Sequence, residues 1–555
     1  MDDIFAYYGH WGEPRYPLAA RVWGHRLREG QHWMEYLLEF LNVLAGFDYR
    51  LGRGLDRKRG DNPEGYIRLP RMGLRRFVFY DEREKTRDIF DDFARNLLLN
   101  ELKKVVGNGS NQEKAIACVR DLFRSLSAVE DSRSWFAKSL LPINHNLLFW
   151  EGEKDTPKRR PVPTLNLPLQ MYDAHISLTG RNFFARGGEV YYLMLSAGTE
   201  EFLARREVIT QKLEALLKEN NQDLGIIANA IDQAWYRKDN YESGSGAEHT
   251  PSKLGRYPLG WIPEPNCSMY RIIAEDTATF LQSDLEPFEC LALLACLISF
   301  HLVLYIYHRA QPNSAEGQHG ATCYSSCRPL LLVHMAEGES GSAIREISER
   351  LFRQQESFQE QKARSFIETS IRACAAELPR DTNFAVNLVS DTKAFFSMEK
   401  KNSTKIMQLQ AQYSRKGIDE ETFLREYAEA LWRIAEGEFD KNFLGVHRKL
   451  TKAAGFVAPK KGPGGRFVLG DDLLKALVLA NVHQNMPIPF DDFLRQLYER
   501  YGILVGPQEA RFSSLINTET INTDYYDLNR RALLEKMKSA GLVTQYSDAT
   551  ALVHG

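Results

Sequence analysis

Cysteine is scarce in this chain, and secretory and catalytic signatures are missing from it. Seven cysteines are spread over 555 residues: Cys118, Cys267, Cys290, Cys296, Cys323, Cys327 and Cys374. So odd and sparse a set argues against a disulfide framework and fits reduced thiols in a cytosolic setting. The start, MDDIFAYYGHWGEPRYP, is acidic, then aromatic, then broken by proline. It lacks the basic start and apolar core of a secretory signal, so the expected location is the cytoplasm. Net charge is nearly absent as well, at −2. No global field draws the protein to nucleic acid or membrane, and any such contact falls to local patches. There is no G-x4-G-K-[ST] phosphate loop, no H-E-x-x-H and no G-x-S-x-G. ATPase, zinc-protease and hydrolase readings therefore lack support, and no cofactor is called for.

What is present is globular material. Aromatic residues reach 11%, which supplies a core and argues against a largely disordered chain. At roughly 100–200 residues per domain the length suggests about three or four domains. Linker-like stretches divide the chain further. The expected segments are 1–160 (mixed helical), 161–250 (connector and helical segment), 251–385 (central, with a buried helix), 386–460 (helical) and 461–555 (winged-helix-like). The fold class is mainly α with short β elements (α+β), multidomain.

Helical spacing marks Trp33 to Ala45, Thr86 to Val106, Glu200 to Asn220, Ile344 to Ala375 and Glu420 to Glu436. Arg75 to Tyr80, Glu189 to Leu195 and Leu330 to Val333 read as short strands, being apolar or rich in β-formers. Cys290 to Tyr307 is almost wholly apolar and about long enough to enter a bilayer. Ser299 and His301 interrupt it and only Arg309 follows closely, so it reads as a buried core helix and no membrane partner is expected. Ser283 and Glu286 have capping-box spacing before it, and Pro287 fits its first turn.

The C-terminal region says most. His447 to Arg466 carries Arg448, Lys449, Lys452, Lys460, Lys461 and Arg466 without an acidic residue, and Gly462-Pro463-Gly464-Gly465 marks a hinge. Three helices are expected after it, Asp471 to Val482, Pro489 to Tyr501 and Tyr525 to Ala540, with Gly541 ending the third. Two strands follow, Leu542 to Tyr546 and Thr550 to Val553. This is the winged-helix order, with the third helix as the recognition helix. Asn529, Arg530, Arg531, Lys536 and Lys538 on that helix, with Lys460, Lys461 and Arg466 of the hinge, are the candidate DNA contacts. The wing itself lacks Lys and Arg, so a module serving only protein contacts is the alternative.

Two weaker constellations stand beside it. His319, Cys323 and Cys327 have H-x3-C-x3-C spacing and ligand types that zinc prefers, although no second cysteine pair follows. Asp381 with Asp391-Thr392-Lys393 resembles a restriction-type nuclease pattern. Two carboxylates would hold a divalent metal, the lysine would stand beside the attacking water, and Asn383 to Ser390 would be the intervening strand.

Three segments carry a resemblance: RNFFARGGEVYYLML (Arg181 to Leu195), RPLLLVHMAEGESGSAIREIS (Arg328 to Ser348) and LLKALVLANV…FLRQLYERYGILVG (Leu473 to Gly506). They resemble large accessory proteins of bacterial anti-phage defence islands, including phosphorothioation-dependent and methylation-associated systems. The resemblance brings no catalytic motif, and no site residue is carried over from it. It implies a non-catalytic DNA-binding or scaffolding subunit working with ATPase or nuclease partners on foreign DNA. A metal-dependent nuclease and a winged-helix transcriptional regulator are the alternatives.

Overall fold

A computed structural model describes residues 17–23, 27, 30–54, 65–67, 74, 77–79, 112–129, 138–148, 153–154, 176–177, 187–231, 256–257, 259, 262, 267–312, 328–396, 404–459, 464–513, 515, 522–547 and 550–555. Among these residues the protein is mainly helical, with short strands in small sheets. The principal helices are α1 (Pro17–Trp23), α2 (Trp33–Gly46), α3 (Gly187–Gly198), α4 (Leu203–Lys218), α5 (Ser268–Phe280) and α6 (Pro287–Ala310). There follow α7 (Gly338–Glu377), α8 (Phe384–Phe395), α9 (Thr404–Ser414), α10 (Glu420–Phe439) and α11 (Gly445–Ala453). The last four are α12 (Asp471–Asn481), α13 (Phe490–Tyr501), α14 (Pro507–Phe512) and α15 (Thr523–Ser539).

Two compact units form, each from separate stretches: Gln31–Leu259 with Ile273–Ile298, and Met1–Gly30 with Gly260–Ile272 and Ser299–Gly555. Neither is a contiguous segment, so boundaries expected from linker composition do not delimit them.

The unit built on Gln31–Leu259 centres on α2 against α3. Gly188 makes their close approach possible, because a Cβ there would lie 2.4 Å from the Phe40 backbone nitrogen. Phe40 then meets Tyr191 edge-on at 5.1 Å. Strands β1 (Tyr66–Ile67) and β2 (Arg256–Tyr257) pair antiparallel beside it, and the Tyr66 hydroxyl donates to the buried Glu189 carboxylate at 3.3 Å. Two strand expectations are corrected here. Glu189 to Leu195 is helical, inside α3. Its residues are buried on every side, and a run without a polar face has no period by which to tell helix from strand. Of the other stretch, Arg75 to Tyr80, Phe77 and Val78 are helical and Phe77 to Phe79 are buried, while Arg75, Arg76 and Tyr80 lie outside the described residues.

The second unit is organised by the 40-residue α7. Ile344, Ile347, Leu351, Ile367 and Ile371 face the core. Along its outer part arginines reach carboxylates of α10: Arg364 to Glu429 at 2.8 Å, Arg372 to Glu421 at 2.6 Å and, just beyond its end, Arg380 to Glu420 at 2.9 Å. A π-helical turn, Asp440–Leu444, leads α10 into α11. Strands β3 (Leu331–Leu332), β4 (Val457–Ala458) and β5 (Arg466–Phe467) come next, with β4 and β5 antiparallel across the glycine-rich stretch. In the C-terminal portion lie β6 (Ile488–Pro489), β7 (Ile503–Leu504), β8 (Val543–Ser547) and β9 (Thr550–Val553). The sheet order is β6-β9-β8, while β7 pairs parallel with β3. Gly502, at φ +77°, leads into that pairing, where a Cβ would strike the Pro329 carbonyl.

The apolar helix α6 passes a length-and-composition test for a membrane span, yet 94% of its most apolar 18-residue window is buried within the fold. It is a core helix. Glu289 in its first turn and Arg309 in its last complement the helix dipole.

Candidate nucleic-acid interface

Helix α15 covers the stretch expected as the third C-terminal helix, but it is the fourth there, because the short α14 precedes it. Asn522 caps it, its side chain accepting from the Asp524 N–H at 3.0 Å, and Gly541 at φ +72° follows its end. Tyr526, Asn529, Leu533 and Met537 recur on one face, and all four are fully buried.

Asn529 therefore cannot meet a base edge, and its assignment as a DNA contact is corrected. Its Oδ1 accepts from the Met335 N–H at 2.7 Å and the Ala336 N–H at 3.1 Å. Its Nδ2 donates to the Val333 carbonyl at 2.8 Å and the Val505 carbonyl at 2.9 Å. Two donors and two lone pairs are all that an amide offers. The side chain ties α15 to the segment after β3 and to the end of β7.

The basic residues of α15 face carboxylates of the same protein. Arg530 pairs with Asp491 at 2.6 Å and lies over the Phe490 ring at 5.3 Å, its side chain 26% exposed. Lys536 donates to the Leu469 carbonyl at 2.6 Å and pairs with Asp471 at 2.8 Å. Arg531 pairs with Asp527 and Lys538 with Glu535 one turn away. Arg531 is open to solvent at 67%, whereas Arg530 at 26%, Lys536 at 30% and Lys538 at 34% are half-buried. Arg466, in β5, donates to His334 Nδ1 at 3.2 Å. Burial, followed by the Arg466 charge, lowers the His334 pKa. Lys460 and Lys461 lie outside the described residues.

The nuclease constellation does not assemble. Asn383 to Ser390 is not a strand: Phe384–Phe395 is α8, and Asp391 and Lys393 sit two residues apart on it. On a strand that spacing shares a face; on a helix it turns the two side chains well apart. Asp381 lies on the turn before α8, where its carboxylate accepts from the Asn383 N–H. His319, Cys323 and Cys327 fall outside the described residues. Among the described residues no group of three or more His, Cys, Asp or Glu could hold a metal.

Sequence reasoning missed a buried polar chain in the same unit. The Tyr307 hydroxyl lies 2.8 Å from His447 Nε2, and His447 Nδ1 faces Glu356 at 3.6 Å. Arg448 clasps Glu356 at 2.6 and 3.0 Å. Phe352 stacks on His447 at 4.9 Å. Sequence offered only a helical spacing of Phe352 and Glu356, with nothing to pair them with residues 92 positions away. No family model matches this chain, and no curated protein is similar to it.

Proposed function

We propose that this protein is a scaffolding subunit of a cytoplasmic bacterial anti-phage defence complex, acting through contacts with partner chains that supply ATPase or nuclease chemistry. Its C-terminal portion is a winged-helix domain built into the scaffold instead of one presented to DNA. Helix order and the β6-β9-β8 sheet support the winged-helix reading. The observation that carries the scaffolding reading is Asn529: the residue best suited to read adenine has its whole amide committed to main-chain groups. Acid partners across Arg530 and Lys536 weaken a phosphate-tracking role further. DNA then reaches the assembly through the partners.

The test is co-purification with the products of neighbouring genes, with duplex DNA binding measured for the chain alone and for the complex. Expected is a stable complex, with DNA retention that depends on a partner. Steeply salt-dependent duplex binding by the isolated chain, lost on Arg531→Ala with Lys538→Ala, would overturn the reading.

A further inference from the structure

Many basic side chains of the C-terminal portion are answered by acids of the same chain: Arg495 by Asp492, Arg530 by Asp491, Arg531 by Asp527 and Lys536 by Asp471. Arg328, just ahead of β3, and Arg511, in α14, differ. Among the described residues neither has a carboxylate partner. Arg328 is nonetheless held in place. Its guanidinium lies over the Tyr498 ring at 5.1 Å, and its Nη1 donates to the Tyr498 carbonyl at 3.0 Å. Its Cγ packs where a Cβ at Gly502 would stand 3.1 Å away. Its Nε is buried and has no hydrogen-bond partner. A cation fixed in this way, partly stripped of water and without an acid, favours a bound anion. The Tyr498 ring also stacks with Phe512, the last residue of α14, at 6.5 Å and 25° between planes. Phe512 follows Arg511 directly and is 65% exposed. A lone exposed apolar side chain is ordinary. An exposed ring joined to a second ring, with a guanidinium on that ring and another next in sequence, is a stacking platform with charge beside it.

We propose that Arg328, Tyr498, Arg511 and Phe512 form a contact site for single-stranded nucleic acid. An unpaired base stacks on Phe512, and the phosphates beside it meet Arg511 and Arg328. Charge and shape together select this occupant. An acidic protein segment would answer the arginines but supplies no regular flat face for the ring. A nucleic-acid strand presents a phosphate and a π-face at every step, and every base has such a face. In a duplex those faces are covered by neighbouring bases, so single strands are the ligand. The site goes beyond the scaffolding reading and leaves it intact: strands opened by partner chains would pass to it, whereas the duplex itself would not dock there.

The full-length chain serves for the test, with a fluorescein-labelled oligothymidylate of about 12 nucleotides, within the span of single-strand sites, followed by anisotropy. The parent should bind saturably, and unlabelled single strand should displace the probe far better than duplex of equal length. Phe512→Ala should weaken binding at least about 5-fold, as loss of one stacked base does. Phe512→Leu should weaken it as much, and Phe512→Trp should retain it, since stacking needs a ring and not merely apolar surface. Arg511→Ala should make the log–log salt dependence shallower by about 0.7, one phosphate contact to a single strand. Phe512 and Arg511 are exposed, so these variants should fold as the parent does, which urea midpoints check. Absence of saturable binding by the parent would overturn the proposal. Binding that survives Phe512→Ala, or that Phe512→Leu retains, would overturn it as well. Loss of a partner chain on Phe512→Ala without any strand binding by the parent would make the surface a protein-docking one and overturn it too. Co-purification of the parent with partner chains is a separate measurement, so failure of strand binding and failure of the scaffolding role are told apart.

Discussion

Replacing Asn529 with alanine would strand four main-chain groups at once: the N–H groups of Met335 and Ala336 and the carbonyls of Val333 and Val505. Each buried group left without a partner costs about 1–3 kcal/mol. The variant should lose about 4 kcal/mol in urea unfolding, allowing for some relaxation. A loss below about 1 kcal/mol would mean that water takes over the bonds of the amide. Arg531→Ala, at an exposed position, should change stability by less than about 0.5 kcal/mol in the same measurement. Acid should act on the Tyr307–His447–Glu356 chain. Burial, opposed by Glu356, lowers the His447 pKa from its ordinary 6.5. Burial pushes the Glu356 carboxyl up, but His447 and Arg448 outweigh that and hold it at about 2 against an ordinary 4.5. A base with a lowered pKa takes up protons on unfolding, so its contribution weakens as pH falls below 6.5. A depressed carboxylate contributes fully above 4.5 and loses that contribution as pH falls toward about 2. Urea midpoints should therefore fall with acid, first through His447 and then through Glu356. Glu356→Gln should remove the lower limb and cost about 1–2 kcal/mol at neutral pH, less than a fully buried pair because Arg448 is 36% exposed. An unchanged acid slope in that variant would show that other groups set it. None of these partnerships was legible beforehand, because Asn529 and Val333 are 196 positions apart and a residue type does not reveal its long-range partner.

At the scale of the element, close packing and burial make the sharpest demands. Gly188→Ala would set a methyl 2.4 Å from the Phe40 nitrogen and 2.5 Å from the Tyr36 carbonyl. Two helix backbones would have to separate, costing about 2–3 kcal/mol by thermal or urea unfolding. An unaltered midpoint would show that α2 and α3 have room to part. Leu294→Asp in α6 places a carboxylate where exposure is zero, and should cost more than about 4 kcal/mol or prevent folding. Recovery of a folded variant at near-parent stability would contradict the core assignment. Element type was readable where one face is polar: α2, α4, α7 and α10 follow their spacing, and Pro287 opens α6; Ser283 does not cap it, because its hydroxyl donates to the Phe280 carbonyl at the end of α5. It was not readable at Glu189 to Leu195, where burial erases the period. At Asn383 to Ser390, Phe384, Ala385, Leu388 and Val389 are the buried set; that i, i+1, i+4, i+5 pattern is helical, but a run so short and apolar is equally compatible with a strand.

Over the whole molecule, composition marks a hinge at residues 460–466, yet packing crosses it. Before the glycines, Val457 pairs with Phe467, and the Val468 N–H donates to the Phe456 carbonyl at 3.0 Å. Gly470 donates to the Gly455 carbonyl at 2.8 Å, with the two glycine backbones in close approach. Beyond it, β7 adds to β3 in parallel, and Asn529 fastens α15 to the same segment. Gly-Pro-Gly-Gly marks a break in regular structure; what it cannot tell is whether the chain returns to the body it left. A protease that cuts at Lys460 or Lys461 therefore nicks a connection whose two sides are held together by strand pairing and a shared core. The two fragments should separate in denaturing gels and elute as one species in native size exclusion. The nicked protein should unfold in a single transition only slightly below the intact chain, because the strand pairing and the Gly455–Gly470 contact on either side of the cut remain. Elution of a free C-terminal fragment of about 90–95 residues would instead restore the independent domain that linker composition suggests.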